Sequence, residues 1–192
     1  MSTSSKSSYH HGDLRATLLT TTMQMLERGE PFSLRAVAKK AGVSPTAPYR
    51  HFANRDALES ALAAQGLRDL KVDLLKDREI PTTVTELADL GVAYVDFALR
   101  RPALFRLMFG SECVTDDPDR VQAAADVHEL LATAMVGVFP AADPTALTLG
   151  GWGLVHGLAS LYLDQKLSGA TNDDVARQVH ASIVEVLTAR QS

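Results

Sequence analysis

Helical periodicity runs through almost the whole chain and restricts the folds open to it. Apolar residues recur every three or four positions, as they do when one face of an α-helix is buried. The alternation of β-branched and polar residues that marks half-buried strands is hard to find. The sequence therefore predicts an all-α protein with about nine helices, formed by a chain long enough to bury a sizeable core without a disulfide or a metal.

Capping residues, prolines and glycines predict where these helices begin and end. The first four helices are expected to start after Asp13, Ser33, Ser44 (with Pro45 behind it) and Asn54. The first should end at Gly29, and the third should reach about His51. Five further helices are predicted over residues 83–101, 102–109, 118–138, 145–167 and 173–189.

Composition excludes several classes of protein. The single cysteine rules out a disulfide framework and a cysteine-rich zinc site, and no metal or cofactor is predicted. The polar N-terminus lacks the apolar core of a secretory signal. Residues 144–163 carry no charge over a membrane-spanning length, but their glycines, threonines and His156 favour a buried helix of a soluble protein. The expected compartment is the cytoplasm, with no membrane partner.

Charge is divided unevenly along the chain. The formal net charge of −4 would by itself argue against a nucleic-acid partner. However, residues 1–55, called the head below, contain eight basic and only three acidic residues and so carry a net charge of +5. Residues 56–192, called the body, carry the remaining −9. A basic segment attracts phosphates, whereas an acidic body resists lying on DNA.

Residues 33–52, SLRAVAKKAGVSPTAPYRHF, predict a helix-turn-helix unit inside the basic head. Gly42 can take the left-handed backbone conformation that the turn requires, and Ala38 is small enough for two helices to cross closely. The second helix of such a unit enters the major groove with its N-terminal end. A purely structural helical hairpin is the alternative interpretation.

Side-chain chemistry divides the candidate DNA contacts into two groups. Arg50 can donate two hydrogen bonds to guanine, and the Thr46 methyl group and Ala47 can touch a thymine methyl group. The remaining candidates carry donors suited to phosphate oxygens. The complete predicted set is Arg35, Lys39, Ser44, Thr46, Ala47, Tyr49, Arg50, His51 and Arg55.

The head closely resembles the TetR/AcrR family of bacterial transcription regulators. The residues that carry the resemblance are 9–15 (YHHGDLR), 34–38 (LRAVA), 41–44 (AGVS), 48–52 (PYRHF) and 55–58 (RDAL). It implies a homodimer on a palindromic operator, usually a repressor released by a small ligand. It also implies that Thr46 and Ala47 read bases, that Tyr49, His51 and Arg55 contact phosphates, and that an arm around Tyr9 reaches the DNA.

The body resembles a C-terminal subtype of this family named after its Trp-His-Gly signature, through residues 151–157 (GWGLVHG) and 101–109 (RPALFRLMF). The helix around Trp152 is apolar on nearly all sides and must be covered on more than one. It could pair with the apolar stripe of the last helix, made of Val175, Val179, Ile183 and Val186, to form a four-helix dimer interface. The alternative is a core formed within one chain.

A small-molecule site is predicted in the body, because apolar walls with one or two polar groups suit such ligands. Trp152 and His156, four residues apart, share one helix face. The predicted lining is Tyr94, Phe97, Phe105, Met108, Phe109, Trp152 and His156. The competing interpretation is an ordinary aromatic core, in which His156 is a hydrogen-bonded interior histidine.

The chain is accordingly divided into an N-terminal arm (1–10), a DNA-binding domain (11–55), a connecting helix (56–80) and a ligand-binding and dimerisation domain (81–192). The predicted function is sequence-specific transcriptional regulation through double-stranded DNA. A non-specific DNA-architectural protein is the first alternative. An enzyme is the second, although neither a Gly-rich phosphate loop nor an H-E-x-x-H motif is present.

Overall fold

The computed structural model describes residues 14–110 and 117–189, and the regular secondary structure in these ranges is helical throughout. The α-helices are α1 (Leu14–Glu27), α2 (Leu34–Lys40), α3 (Arg55–Leu75), α4 (Val84–Arg100), α5 (Pro102–Phe109), α6 (Pro118–Val138), α7 (Pro144–Leu163) and α8 (Asn172–Thr188). A single turn of 3-10 helix, Ala47–Arg50, lies between α2 and α3. The all-α prediction is confirmed with eight α-helices in the described residues, and the third of the nine predicted helices is this short turn.

Side-chain caps set several boundaries where the sequence predicted them. The Ser33 hydroxyl accepts a hydrogen bond from the Ala36 N–H at 3.2 Å, and Asn54 Oδ1 accepts one from the Ala57 N–H at 2.8 Å. Thr83 and Glu86 form a reciprocal capping box at the start of α4. The predicted Asp13 cap and the predicted arm lie outside the described residues.

Two predicted helix boundaries are wrong. The third helix does not begin after Ser44, because a 3-10 turn starts at Ala47 instead and ends after four residues. Pro48 has no N–H and cannot donate the backbone bond that would continue an α-helix through this segment. At the other end of the chain, α7 stops at Leu163 rather than Leu167, and Gln165 follows with φ of 55°, which turns the backbone away.

The chain divides into two compact units, the first ending at Leu58 and the second beginning at Glu59. The helix α3 starts in the first unit and continues through the second. In the first unit, the small core is made of apolar residues from α1, α2 and the segment that follows them. Its most buried members are Leu18, Val37, Ala38, Pro48 and Phe52.

In the second unit, α4 is the central helix, and α5, α6, α7 and α8 pack against it. The stripe of α8 faces α4: Val179 and Ile183 are buried, and the Ile183 side chain lies beside Gly91. The stripe therefore packs mainly on α4, while α8 also contacts the Trp152 helix, where the Tyr162 hydroxyl donates to Gln178 Oε1 at 2.7 Å. Val186 is the exception, since it points outward and is 55% exposed.

The apolar helix α7 is covered on one face only. Val155, Ala159 and Tyr162 are buried, whereas Leu149 is 66% exposed. Within the described residues, α7 is the one helix that is long and apolar enough to cross a membrane, judged by length and composition alone. Its most apolar stretch of 18 residues has a mean hydropathy of 1.2, and 22% of that stretch is buried inside the protein. The expectation of a buried helix therefore holds for the face that packs inside the unit.

Candidate DNA-binding and ligand-binding sites

The turn after α2 is closed by the backbone. The Val43 N–H donates to the Ala38 carbonyl at 3.0 Å, and the Gly42 N–H donates to the Lys39 carbonyl at 3.3 Å. Gly42 has φ of 71°, and a Cβ atom at this position would meet nothing within 4 Å. Glycine is therefore favoured here by the left-handed backbone conformation and not by a lack of space.

Pro48 holds the 3-10 turn against the core of the first unit. The side chains of Pro48 and Phe52 are buried, and the Pro48 carbonyl accepts hydrogen bonds from the His51 and Phe52 N–H groups, both at 2.9 Å. Tyr49 and Arg50 lie on the opposite side, where Tyr49 is 49% exposed. Pro48 and Phe52 therefore belong to the core of the helix-turn-helix unit, whereas Tyr49 and Arg50, two of the predicted DNA contacts, lie at its surface.

The other predicted DNA contacts also lie at the surface of the first unit. Eight of the nine are exposed, and Ala47 is half-buried. The Arg55 guanidinium lies 5.2 Å from the centre of the Phe32 ring, a cation–π contact that positions it while leaving it accessible. Lys40, which follows the predicted contact Lys39, forms an ion pair with Glu30. The hydrogen bond from Lys40 lowers the pKa of the Glu30 carboxyl.

In the second unit, aromatic rings surround the His156 side chain. The Phe105 ring stacks on the imidazole with centroids 5.3 Å apart, and the Phe109 ring meets it edge-on at 4.8 Å. The Tyr94 hydroxyl lies 3.0 Å from His156 Nδ1. The predicted shared face of Trp152 and His156 is present, with 5.8 Å between the two ring centroids.

Burial keeps the two polar side chains of this pair uncharged. It raises the pKa of the Tyr94 hydroxyl. The hydrogen bond between Tyr94 and His156 Nδ1 fits the neutral imidazole, in which Tyr94 donates when the ring proton is on Nε2 and accepts when it is on Nδ1. Burial favours this state because it lowers the pKa of the imidazole.

We expect His156 to make the second unit less stable in acid. Its pKa in the folded state lies below the value of about 6.5 expected in the unfolded chain, so the unfolded state binds more protons as the pH falls through this range. The decrease in the thermal unfolding midpoint between pH 7.5 and pH 5.5 should be smaller in His156→Gln. His51→Gln, an exposed histidine of the first unit, should retain the full decrease. Equal decreases in both variants would contradict this assignment.

An apolar cavity lies between α4, α6, α7 and α8. Its empty space is about 650 Å³ when the solvent at its open mouth is counted, and its walls are mainly apolar, as in small-molecule sites. Two predicted ligand residues, Tyr94 and Trp152, line it. Three others, Phe105, Phe109 and His156, line a neighbouring pocket of about 580 Å³ that also includes Arg106 and Asp164. Phe97 and Met108 line neither, since they are 1% and 2% exposed in the core.

Sequence reasoning missed most of the cavity wall. Met135 on α6 and Ile183 on α8 contribute to it, as do the helical glycines Gly91 and Gly151. A glycine in the interior of an apolar helix lowers helix stability, so its presence usually indicates a close approach or a packing requirement. Gly91 and Gly151 therefore carried a usable signal, whereas Met135 and Ile183 are typical core residues. Within the described ranges, no three acidic, histidine or cysteine side chains form a group that could hold a metal ion.

Comparisons with known proteins agree with both units. The family described as "Bacterial regulatory proteins, tetR family" matches residues 18–62. The family described as "Tetracyclin repressor-like, C-terminal domain" matches residues 87–186, more than half of the chain. No curated protein matches the chain.

Solved structures share the fold over nearly the whole length. A protein of unknown function from Rhodococcus sp. RHA1 is 31% identical, with a TM-score of 0.78 over 94% of this chain and 98% of its own. A TetR transcriptional regulator from the same organism is 22% identical, with a TM-score of 0.64 over 92% and 96%. The TetR-family regulator PfmR from Thermus thermophilus is 19% identical, with a TM-score of 0.61 over 88% and 97%.

A helix-turn-helix unit followed in the same chain by a helical body with an apolar cavity is typical of DNA-binding transcriptional regulators. The chain belongs to the TetR family of bacterial regulators, a family of soluble DNA-binding proteins and not of enzymes.

Proposed function

We propose that this protein is a homodimeric repressor that binds a palindromic operator and releases it when a small molecule enters the body. The observation that carries the proposal is the 3-10 turn, whose buried Pro48 and Phe52 hold Tyr49 and Arg50 at the surface. This turn falls within the segment that matches the DNA-binding domain of the family. A repressor of a bacterial operator acts in the cytoplasm, so we propose this compartment for the protein.

The nine exposed or half-exposed residues of the first unit supply the two kinds of contact that operator binding needs. Arg50 can form a bidentate pair with guanine, and Thr46 and Ala47 offer apolar contact to thymine. Ser44 Oγ and Thr46 Oγ1 lie 3.3 Å apart, which favours a common orientation of the two hydroxyls. Tyr49, His51 and Arg55 suit phosphate contacts, as do Arg35 and Lys39.

The uncovered face of α7 supports the dimer. Leu149 and Leu161 are exposed there, and a Cβ atom on Gly153 or Gly157 would meet nothing within 4 Å. A second copy of the same face, related by a two-fold axis, would cover the leucines, and the glycines would let the two helices approach closely. Val186 of α8 is a further exposed apolar side chain of the same unit.

The second unit supports ligand control and the Trp-His-Gly subtype. Trp152 lines the apolar cavity, and His156, one residue before Gly157, is connected to the cavity wall by its hydrogen bond to Tyr94. A ligand in contact with Trp152 or Tyr94 would disturb this bond, and with it the packing of α5 through Phe105 and Phe109. Such differential contact is what lets a ligand shift a conformational equilibrium.

Selection of bound sequences from a random DNA library tests the proposed function. The protein should recover one palindromic consensus and prefer it to bulk DNA by at least about 1,000-fold. Arg50→Ala should relax the consensus at one base pair of each half-site, whereas Tyr49→Ala should weaken binding to all sequences and reduce its salt dependence. Binding without any preferred sequence would instead support an architectural protein, and an unchanged consensus for Arg50→Ala would remove Arg50 from base reading.

A further inference from the structure

The apolar cavity presents almost no polar surface to a bound molecule. Among its described lining residues there is no Asp, Glu, Lys or Arg. Of its polar side chains, Tyr94 already has a partner, since its hydroxyl lies 3.0 Å from His156 Nδ1, and the Trp152 indole is partly exposed. The remaining polar side chain, His128, belongs to an exposed position beside the indole, 4.8 Å between ring centroids.

Two glycines and two flexible side chains set the width of the cavity. A Cβ atom on Gly151 would lie 1.9 Å from Met135 Cε, and one on Gly91 would lie 2.2 Å from Ile183 Cδ1. The ends of Met135 and Ile183 therefore occupy notches that exist only because α7 and α4 carry glycine at these points. The space left beside them is a small slot of about 50 Å³.

We propose that the effector is an uncharged, slender and largely apolar molecule with one neutral polar end near His128, and that Gly151 and Gly91 determine the width it can have. The proposal rests on the proposed function, because it names the ligand class of the cavity in the body. An ionised ligand would lose its hydration without meeting an opposite charge on the cavity wall, which makes its burial unfavourable. A wide ligand would have to displace the ends of both Met135 and Ile183.

Three probes of equal chain length and different charge test the ligand class. Decanol is neutral at pH 7.5, whereas decanoate is anionic and decylamine is cationic. Trp152 is the single tryptophan of the chain, so its fluorescence in the full-length protein reports directly on the cavity. Titrations below the micellar concentrations should give a saturable change with decanol, and its Kd should be at least tenfold lower than the Kd of either ionised probe.

Matched glycine variants test the width. Gly151→Ala would force Met135 out of its notch, so decanol affinity should fall at least fivefold, while Met135→Ala in the same background should restore it. Gly150→Ala is the control on the same helix, because a Cβ atom there would meet nothing within 4 Å. Its Kd should stay within twofold of the parent. Alanine is favoured over glycine in a helix, so thermal unfolding should show that both single variants remain folded.

The outcomes separate the ligand class from the proposed function. Absence of decanol binding, or equal affinity for decanoate or decylamine, would overturn the ligand class. Equal affinities of the Gly151→Ala and Gly150→Ala variants, or failure of Met135→Ala to restore binding, would overturn the role of Gly151. None of these results would alter the selection of a palindromic consensus by the unliganded protein, which tests operator binding independently.

Discussion

Replacing Leu149 and Leu161 together with Glu is expected to convert the protein into a monomer of 20.7 kDa and to lower operator affinity by at least about 100-fold. Both leucines are exposed on the uncovered face of α7, and in the proposed dimer each would be buried against a second copy. Four carboxylates would then be desolvated in an apolar interface without cationic partners, which opposes association. A monomer has one DNA-binding unit and therefore loses the gain in affinity that a dimer obtains by binding two linked half-sites.

Sedimentation or light scattering measures the mass, and titration of a labelled operator fragment measures the affinity. Val72→Glu is the matched control, because Val72 is 67% exposed on α3 and lies outside the proposed interface. This variant should remain dimeric and retain its operator affinity. A double variant that is still dimeric would assign dimerisation to a surface other than the exposed face of α7.

Phe97→Ala is expected to lower the free energy of unfolding by about 3–5 kcal/mol. Phe97 is among the largest fully buried side chains, at 1% exposure in α4, and the Arg101 guanidinium lies 5.8 Å from the centre of its ring. Truncation to alanine removes apolar contact and leaves a cavity between tightly packed helices. Urea unfolding followed by circular dichroism gives the difference between the variant and the parent protein.

A second substitution at the same position separates the two roles considered for Phe97. Phe97→Leu keeps most of the volume and should cost less than about 1.5 kcal/mol. Because Phe97 does not line the apolar cavity, this variant should bind decanol with unchanged affinity. If Phe97→Ala lowers the free energy of unfolding by less than about 1 kcal/mol, or if Phe97→Leu binds decanol more weakly, the result would support the sequence-based prediction that Phe97 lines the ligand site.

Local chemistry explains why much of the fold could be predicted from the sequence. The caps at Ser33, Asn54 and Thr83 are interactions over two or three residues, so they can be recognised without knowing the tertiary structure. The same kind of reasoning failed at Ser44. There, the signal for a helix start was present, but Pro48 limits the element to one 3-10 turn.

The ligand site was less predictable because spacing cannot separate a core from a cavity. Tyr94, Phe97 and Phe105 recur at helical positions, yet Tyr94 lines the apolar cavity, Phe97 is in the core and Phe105 faces the pocket beside His156. Which of these surroundings a ring meets depends on residues far away in sequence. Met135 and Ile183 are such residues, and nothing in their local sequence distinguishes them from ordinary apolar side chains.

The single 3-10 turn also limits how much sequence information one subunit can extract. Four residues rising about 2.0 Å each span about 8 Å, the length of two or three base pairs of DNA. Two half-sites would then specify about five base pairs directly, a pattern that occurs by chance roughly once in a thousand positions of a genome. We therefore expect operators to be distinguished from chance matches largely by half-site spacing and by the deformability of the intervening DNA.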